Sequence, residues 1–340
     1  MSPEENHRQS EPAGEPVTAT APRPTRPVPV ARLSDAALPP VDPSIPPWPG
    51  ERVRLGGRDL FVRRTPGPAG GGEPALYVHG LGGASTNWTD YAALLATRLD
   101  GEALDLPGFG ESGPAPVHGG YGLAAQTRTV VAYLEHRGAG PVHLVGNSMG
   151  GVAALLVAAA RPDLVRTLTL ISPAMPSLRP RRGSDIVMPL LLLPGIGRYA
   201  QRRLDALPPE RRAAGLIRIC FADPAAVPRN RMDEAIAEIA RRRELPWATD
   251  AFTAALRGLA RSYLVLGPRS LWRQAGLVRA PTLVVWGTED QLVPVELAGR
   301  TAAAVPNSRL LELPNVGHVA QLEAPETTAR ATLALIEDHG

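Results

Sequence analysis

Strand-like and helix-like segments alternate along most of this chain. Residues 75–78, 141–145 and 282–286 are short apolar runs with the length and β-branched content of buried strands. Segments such as 122–137 instead carry apolar residues at helical spacing. This alternation predicts an α/β fold in which helices flank both faces of a mostly parallel central sheet.

The alternation is absent at the start of the chain. Residues 1–47 are rich in proline and show neither the strand-like nor the helix-like spacing of apolar residues. This predicts a disordered tail and a structured region from Trp48 onwards. Polar and apolar residues alternate in two short runs, 52–55 and 60–64, which lie on either side of Gly56 and Gly57. We expect a β-hairpin there that contributes two edge strands.

The alternation stops again over residues 172–267. Proline divides this stretch into helical pieces, such as 233–243 and 251–262, without clear strands between them. The pattern predicts a helical cap inserted into a core that is formed by residues 48–171 and 268–340.

Composition excludes several kinds of chemistry. The chain of 340 residues is 44% hydrophobic, and its one cysteine, Cys220, permits no internal disulfide. All 36 basic residues are arginine, so sites that need a P-loop lysine, a Schiff-base lysine or a serine-lysine dyad are excluded. No apolar run approaches membrane-spanning length and no signal-peptide core is present, so we expect a soluble cytoplasmic protein.

Arginine is concentrated in the predicted cap, beside an apolar run at residues 186–196. Such a surface could attract acidic substrates or make peripheral contact with anionic lipid. The simpler interpretation is that arginine, as the only cation of this chain, coats solvated helices. No nucleic-acid-binding motif accompanies the charge, so we expect no nucleic-acid partner, and the oligomeric state is left open.

Residues 146–150 read G-x-S-x-G between a predicted strand and a predicted helix. A turn this tight strains its central residue, and Gly146 and Gly150 remove the neighbouring side chains that would clash. Ser148 is therefore the candidate nucleophile. The Met149 amide, at the start of the helix, is a candidate oxyanion donor.

A second oxyanion donor is expected in the glycine-rich loop that follows residues 75–78. It begins with His79, Gly80, Leu81 and Gly82, and the Leu81 amide is the candidate. Gly80, Gly82 and Asn147 are assigned as substrate contacts. His79 is grouped with them, although its side chain is expected chiefly to hold the loop in place.

Serine needs a histidine to take its proton and a carboxylate to orient that histidine. Asp290 and His318 each follow a predicted strand, at the edge where ligand-facing groups of parallel sheets collect. Glu289 is a fallback for the acid. The chain order is serine, aspartate, histidine.

At this point the chain resembles the α/β-hydrolase family. The likeness runs from about Trp48 to the C-terminus and includes five motifs: HG-x-G at His79, D-x-P-G-x-G-x-S at Asp105, the G-x-S-x-G turn, W-G-x-x-D at Trp286 and G-H at Gly317. The resemblance places the acid at the third residue after Gly287, which favours Asp290. It implies hydrolysis through an acyl-enzyme, with no metal or organic cofactor.

Three functions remain open. The first is hydrolysis of a carboxylic ester or thioester, with a small-molecule ester as substrate. The second is carbon–carbon bond hydrolysis, because G-N-S-M-G-G and G-H-x-A-Q-x-E are similar to hydrolases of aromatic ring-cleavage products. Those enzymes hold a substrate carboxylate with a cap arginine, for which Arg231 is a candidate, but Val319 stands where they have tryptophan. The third is a non-catalytic ligand-binding protein on the same fold.

Overall fold

Eight strands form one sheet in the computed structural model, which describes residues 27–69, 71–116, 120–177, 199–200, 203–204 and 206–339. The strands are β1 (Gly50–Leu55), β2 (Arg58–Thr65), β3 (Glu73–Val78), β4 (Leu99–Asp105), β5 (Val142–Asn147), β6 (Val165–Ile171), β7 (Thr282–Gly287) and β8 (Ser308–Leu313). Their order is β1-β2-β4-β3-β5-β6-β7-β8. The pairs β1–β2 and β2–β4 are antiparallel and the rest are parallel, which confirms the predicted α/β fold class.

The predicted hairpin forms β1 and β2. Gly56 and Gly57 have φ angles of 54° and 75°, the left-handed pair that a two-residue hairpin turn needs. The expectation of two edge strands was wrong for β2. Only β1 lies at the edge, because the other side of β2 pairs with β4 from Phe61 to Thr65.

Helices pack on both faces of the sheet. Their bounds are α1 (Thr89–Leu95), α2 (Leu123–Arg137), α3 (Ser148–Ala160), α4 (Pro209–Cys220), α5 (Arg229–Arg243), α6 (Ala248–Tyr263), α7 (Leu271–Ala275), α8 (Glu296–Ala304), α9 (Ala320–Glu323) and α10 (Pro325–Glu337). One buried cluster includes α2 and α3, and the other includes α1 and α10. Helix α3 is apolar nearly all round, as a helix at the centre of the molecule must be.

Helices α4, α5 and α6 lie between β6 and β7 in sequence, and we call them the inserted helices. Within the described parts of residues 172–281 there is no strand. The predicted helical pieces 233–243 and 251–262 fall inside α5 and α6. The apolar run at residues 186–196 lies outside the described residues.

The segment before β1 departs from the expected disordered tail. Residues 1–26 lie outside the described part, but Val30 forms a parallel bridge with Leu310 of β8. The Leu310 amide donates to the Pro29 carbonyl at 2.9 Å, and Arg32 pairs with Glu337 and Asp338 of the C-terminal region. The physical reason is that β8 is an edge strand, whose backbone groups would otherwise lack strand partners on that side.

None of the described helices combines the length and the apolar character needed to cross a bilayer.

Candidate active site

Ser148 occupies the turn between β5 and α3, and its φ angle of 55° is unusual for a residue with a side chain. The flanking glycines explain how this turn is accommodated. A Cβ at Gly146 would lie 2.5 Å from the Gly150 carbonyl oxygen, and one at Gly150 would lie 2.3 Å from the Val78 carbonyl oxygen. The G-x-S-x-G spacing is therefore a steric requirement of this turn.

Asp290 and His318 meet although 28 residues separate them. Asp290 Oδ2 lies 2.8 Å from His318 Nδ1, and its Oδ1 accepts from the amides of Leu292 and Val293, also at 2.8 Å. Burial alone would raise the pKa of Asp290, but the imidazole and the two amides outweigh it and lower the pKa below its usual value. Glu289, the fallback, is exposed. An ionised aspartate in this position fixes a histidine with Nδ1 protonated and Nε2 available as a base.

The loops that carry the acid and the histidine touch backbone to backbone. A Cβ at Gly287 would lie 2.1 Å from the Val316 carbonyl oxygen and 2.2 Å from that of Gly317. The Glu289 amide also donates to the Val316 carbonyl at 2.9 Å. A side chain at Gly287 would therefore separate the two loops.

Asn147 connects the serine turn to the histidine loop. Its Nδ2 donates to the carbonyls of Ile171 and His318, each at 3.1 Å. Asn147 was predicted to contact substrate, and it does line the cavity beside Ser148. Its side-chain amide, however, holds the serine and histidine segments together.

The glycine-rich loop lies against the serine. A Cβ at Gly80 would be 3.0 Å from the Ser148 Cβ. The Gly83 amide donates to the Gly80 carbonyl at 3.1 Å, and Gly82 has a φ angle of 76°, as the third residue of a type II turn requires. The segments that carry the two predicted oxyanion donors, the Leu81 and Met149 amides, are thus adjacent.

The His79 side chain fixes the glycine-rich loop in place. Its ring is fully buried, Nε2 accepts from the Leu106 amide at 3.0 Å, and Nδ1 lies 2.7 Å from the Gly80 carbonyl oxygen. Burial lowers the pKa of His79 to about 4, so the ring is neutral. Because both nitrogens are used within the protein, grouping His79 with the substrate contacts was wrong, and the expected loop-holding position is the one observed.

Asp105 stabilises the loop that follows β4. Its carboxylate accepts from the amides of Ser85 and Glu111, and its carbonyl accepts from the Ser112 hydroxyl at 2.6 Å. Burial raises the pKa of Asp105 to about 6, against the effect of those amides. The D-x-P-G-x-G-x-S motif therefore builds the frame of the site.

A cavity of about 1260 Å³ opens onto Ser148 and His318. Its wall is mostly apolar and is formed by the glycine-rich loop, the inserted helices and the start of α10. Val41 and Pro43, from the segment expected to be disordered, also line it. The apolar lining contributed by α6 consists of Phe252, Leu256, Leu259, Ala260 and Tyr263.

The inserted helices are bonded to the loops that carry the candidate residues. Arg242 of α5 donates to the Gly82 carbonyl at 2.9 Å, and Tyr263 of α6 donates to the Ala174 carbonyl at 3.0 Å. Ala174 in turn donates its amide to the Ser148 carbonyl at 3.0 Å. The walls of the cavity and the serine turn therefore form one hydrogen-bonded unit.

The end of α4 is joined directly to the histidine. The His318 amide donates to the Cys220 carbonyl at 2.7 Å. Glu323 completes the joint, accepting from the Gly317 amide at 2.8 Å and from the Ala222 amide at 2.7 Å. Glu323 is the glutamate of the G-H-x-A-Q-x-E motif, but it was not among the site residues predicted from the sequence.

Arg231, the candidate for holding a substrate carboxylate, is engaged by two acidic side chains. It makes a bidentate pair with Asp90, at 2.5 and 3.0 Å, and contacts Glu234 at 2.6 Å. The three side chains line the cavity wall, and the positive charge of Arg231 is neutralised within the protein. This environment does not favour Arg231 as an anion-binding residue.

Comparisons with known proteins agree with this architecture. A family model described as "alpha/beta hydrolase fold" matches residues 74–325. A dihydrolipoyllysine-residue acetyltransferase component of an acetoin cleaving system, from Pseudomonas putida, is 33% identical over 289 residues. That match covers 85% of this chain but 70% of the relative, so the activity in that name is that of a longer protein.

Two further similar proteins are named for different activities. A 2-hydroxy-6-oxononadienedioate/2-hydroxy-6-oxononatrienedioate hydrolase from Cupriavidus pinatubonensis is 26% identical over 262 residues, covering 74% of this chain and 83% of the relative. Among solved structures, a membrane phospholipase A described as a bacterial virulence factor superposes with a TM-score of 0.67 and 26% identity. It covers 85% of this chain and 86% of that one. The chain belongs to the α/β-hydrolase fold family.

Proposed function

We propose that this protein is a serine hydrolase that cleaves carboxylic esters, or thioesters, of apolar acyl groups. The observation that carries the proposal is the Asp290–His318 pair at 2.8 Å, with His318 and Ser148 both lining a large and mostly apolar cavity. A buried carboxylate with a histidine supplies the base that a serine nucleophile needs. The apolar wall suits an acyl chain.

In the proposed reaction Ser148 Oγ attacks the ester carbonyl as His318 takes its proton. Asp290 keeps the imidazole oriented and stabilises its charged form. The amides of Leu81 and Met149 receive the tetrahedral oxyanion. His318 then protonates the leaving alcohol or thiol, and activates a water that releases the acyl group from Ser148.

The second candidate is hydrolysis of a carbon–carbon bond in a ring-cleavage product. Its support is the sequence likeness to relatives named as such hydrolases. Two features favour the ester proposal over it: Arg231 is already paired with Asp90 and Glu234, and Val319 replaces the tryptophan of the resembling enzymes.

The test is hydrolysis of p-nitrophenyl esters, from acetate to palmitate, by the wild type and by Ser148→Ala. We expect turnover to peak at one chain length and to fall by ~10⁵-fold in the variant, because the nucleophile acts as a unit with its base. Ser270→Ala is a matched control, since Ser270 precedes α7, lies outside the cavity lining and makes no side-chain capping bond.

Activity that survives Ser148→Ala would contradict the proposal. Turnover of dienol-diketones with none of the ester series would instead support carbon–carbon hydrolysis. Binding of ester analogues without turnover of either class would favour a non-catalytic role.

A further inference from the structure

Three consecutive apolar residues are exposed immediately after α6. Leu264 is 79% exposed, Val265 is 41% exposed and Leu266 is 85% exposed. Single exposed leucines are ordinary on protein surfaces, but a contiguous group has a hydration cost that binding to an apolar phase would remove.

The local structure holds this apolar triplet in a defined place. A short 3-10 turn, Gly267–Arg269, follows the triplet, and Gln274 Nε2 donates to the Pro268 carbonyl at 2.9 Å. On the two sides Leu259 and Leu271 are buried, which anchors the ends of the segment. The triplet therefore projects from a compact turn that is held at both ends.

The charged residues that flank the triplet in sequence have a single sign. Between Asp250 and Glu289 the chain has five arginines and no acidic residue. The five are Arg257, Arg261, Arg269, Arg273 and Arg279, and all but Arg257 are exposed. None of them forms an ion pair with an acidic side chain in the described part of the chain. This segment therefore combines an exposed apolar triplet with exposed arginines on either side of it in sequence.

We propose that the triplet and its arginines form a docking surface for a lipid bilayer with anionic headgroups. Apolar side chains enter the boundary between headgroups and acyl chains, while arginines bind the negative surface around them. Self-association is disfavoured, because the same face of a second copy would bring like charges together. The docking surface is independent of the bond that the enzyme cleaves.

The position of the surface relates it to the cavity. The triplet directly follows Tyr263, and Tyr263 with Leu259 and Phe252 lines the cavity from α6. Docking would therefore attach the membrane to the end of the helix that forms one wall of the catalytic cavity. If the proposed esterase function holds, lipid-dissolved esters become the accessible substrates.

The experiment measures binding and not turnover. The full-length protein is incubated with phosphatidylcholine vesicles, with and without phosphatidylglycerol, and the bound fraction is measured by flotation. We expect binding only with phosphatidylglycerol, weakened by salt. Leu264→Asp/Leu266→Asp should lower the partition coefficient by at least ~10-fold. Each arginine replaced in Arg269→Gln/Arg273→Gln should lower it by about fivefold.

Val30→Asp is the matched control, because Val30 is 81% exposed and lies beside β8, outside the apolar triplet. Hydrolysis of a water-soluble ester should be unchanged in all variants, which separates this test from that of the proposed function.

Three results would overturn the proposal: no binding of the wild type to anionic vesicles, equal binding of Leu264→Asp/Leu266→Asp, or an equal loss in Val30→Asp. A wild-type dimer that Leu264→Asp/Leu266→Asp converts to monomer in sedimentation would instead assign the triplet to a second copy.

Discussion

Glu289 and Asp290 are adjacent in sequence, yet their carboxylates have opposite environments. Asp290 is 4% exposed and accepts two backbone amides as well as facing the His318 ring. Glu289 is exposed and its carboxylate lies 3.3 Å from the Thr288 hydroxyl oxygen. A single residue step along this turn therefore separates a buried partner of the histidine from a solvated surface charge.

Replacing each acid tests this distinction. Asp290→Asn should lower kcat for ester hydrolysis by ~10³-fold or more, because an amide no longer stabilises the charged imidazole and favours the wrong tautomer. Glu289→Gln is the control and should leave kcat within about twofold of the wild type, since surface substitutions rarely disturb the fold. Steady-state kinetics on the best p-nitrophenyl ester gives both values. The reverse ranking would identify Glu289 as the functional acid.

At the scale of elements, the loops that follow β5, β7 and β8 are joined to each other and to the inserted helices. Gly287 allows the acid loop to touch the histidine loop, and Asn147 joins the serine turn to His318. Glu323, in α9, bonds one amide of the histidine loop and one amide just beyond α4. These contacts fix the relative positions of segments that are far apart in sequence.

Glu323→Gln tests whether that joint positions the histidine. A carboxylate accepts both amides, whereas glutamine has one acceptor and would turn a donor towards the other amide. We expect kcat to fall by ~10-fold with a smaller change in KM, because a displaced base impairs the chemical step. Glu312→Gln on β8 is the control. An unchanged kcat with an increase in KM alone would show that Glu323 acts only through the cavity wall.

The sequence predicted the strands and the candidate residues because both depend on local patterns. Apolar runs of strand length and the glycines around Ser148 are dictated by neighbouring positions in the chain. The role of Glu323 could not be predicted this way, because its two donors come from residues 6 and 101 positions away. The internal position of β2 was missed for a similar reason. Its pairing with β4 uses backbone groups, so the alternation of polar and apolar residues in β2 does not reveal it.

At the scale of the whole molecule, the segment before β1 spans from one edge of the sheet to the cavity. Its first described residues pair with β8 and α10, and Val41 and Pro43 reach the cavity wall. Its proline-rich composition resembles that of a disordered tail. Pairing with β8 uses backbone groups, which any sequence possesses, so the composition gives no sign of it.

Deleting residues 1–36 tests this contribution. The deletion removes the β8 pairing and the ion pairs of Arg32, and exposes an edge strand. We expect the melting temperature to fall by ~5 °C and aggregation on heating to begin earlier. Deletion of residues 1–26 is the control, because it leaves every described contact in place. Thermal unfolding with light scattering measures both, and equal curves for the two deletions would contradict the expectation.

The bond between the His318 amide and the Cys220 carbonyl has a consequence for engineering this enzyme. In sequence, the inserted helices form one continuous segment between β6 and β7, which suggests that they could be exchanged as a unit. In three dimensions this segment supplies the acceptor for the backbone amide of His318, the proposed catalytic base. A chimera that imports the helices of another hydrolase must therefore match that one carbonyl, or it will change reaction rate together with substrate range.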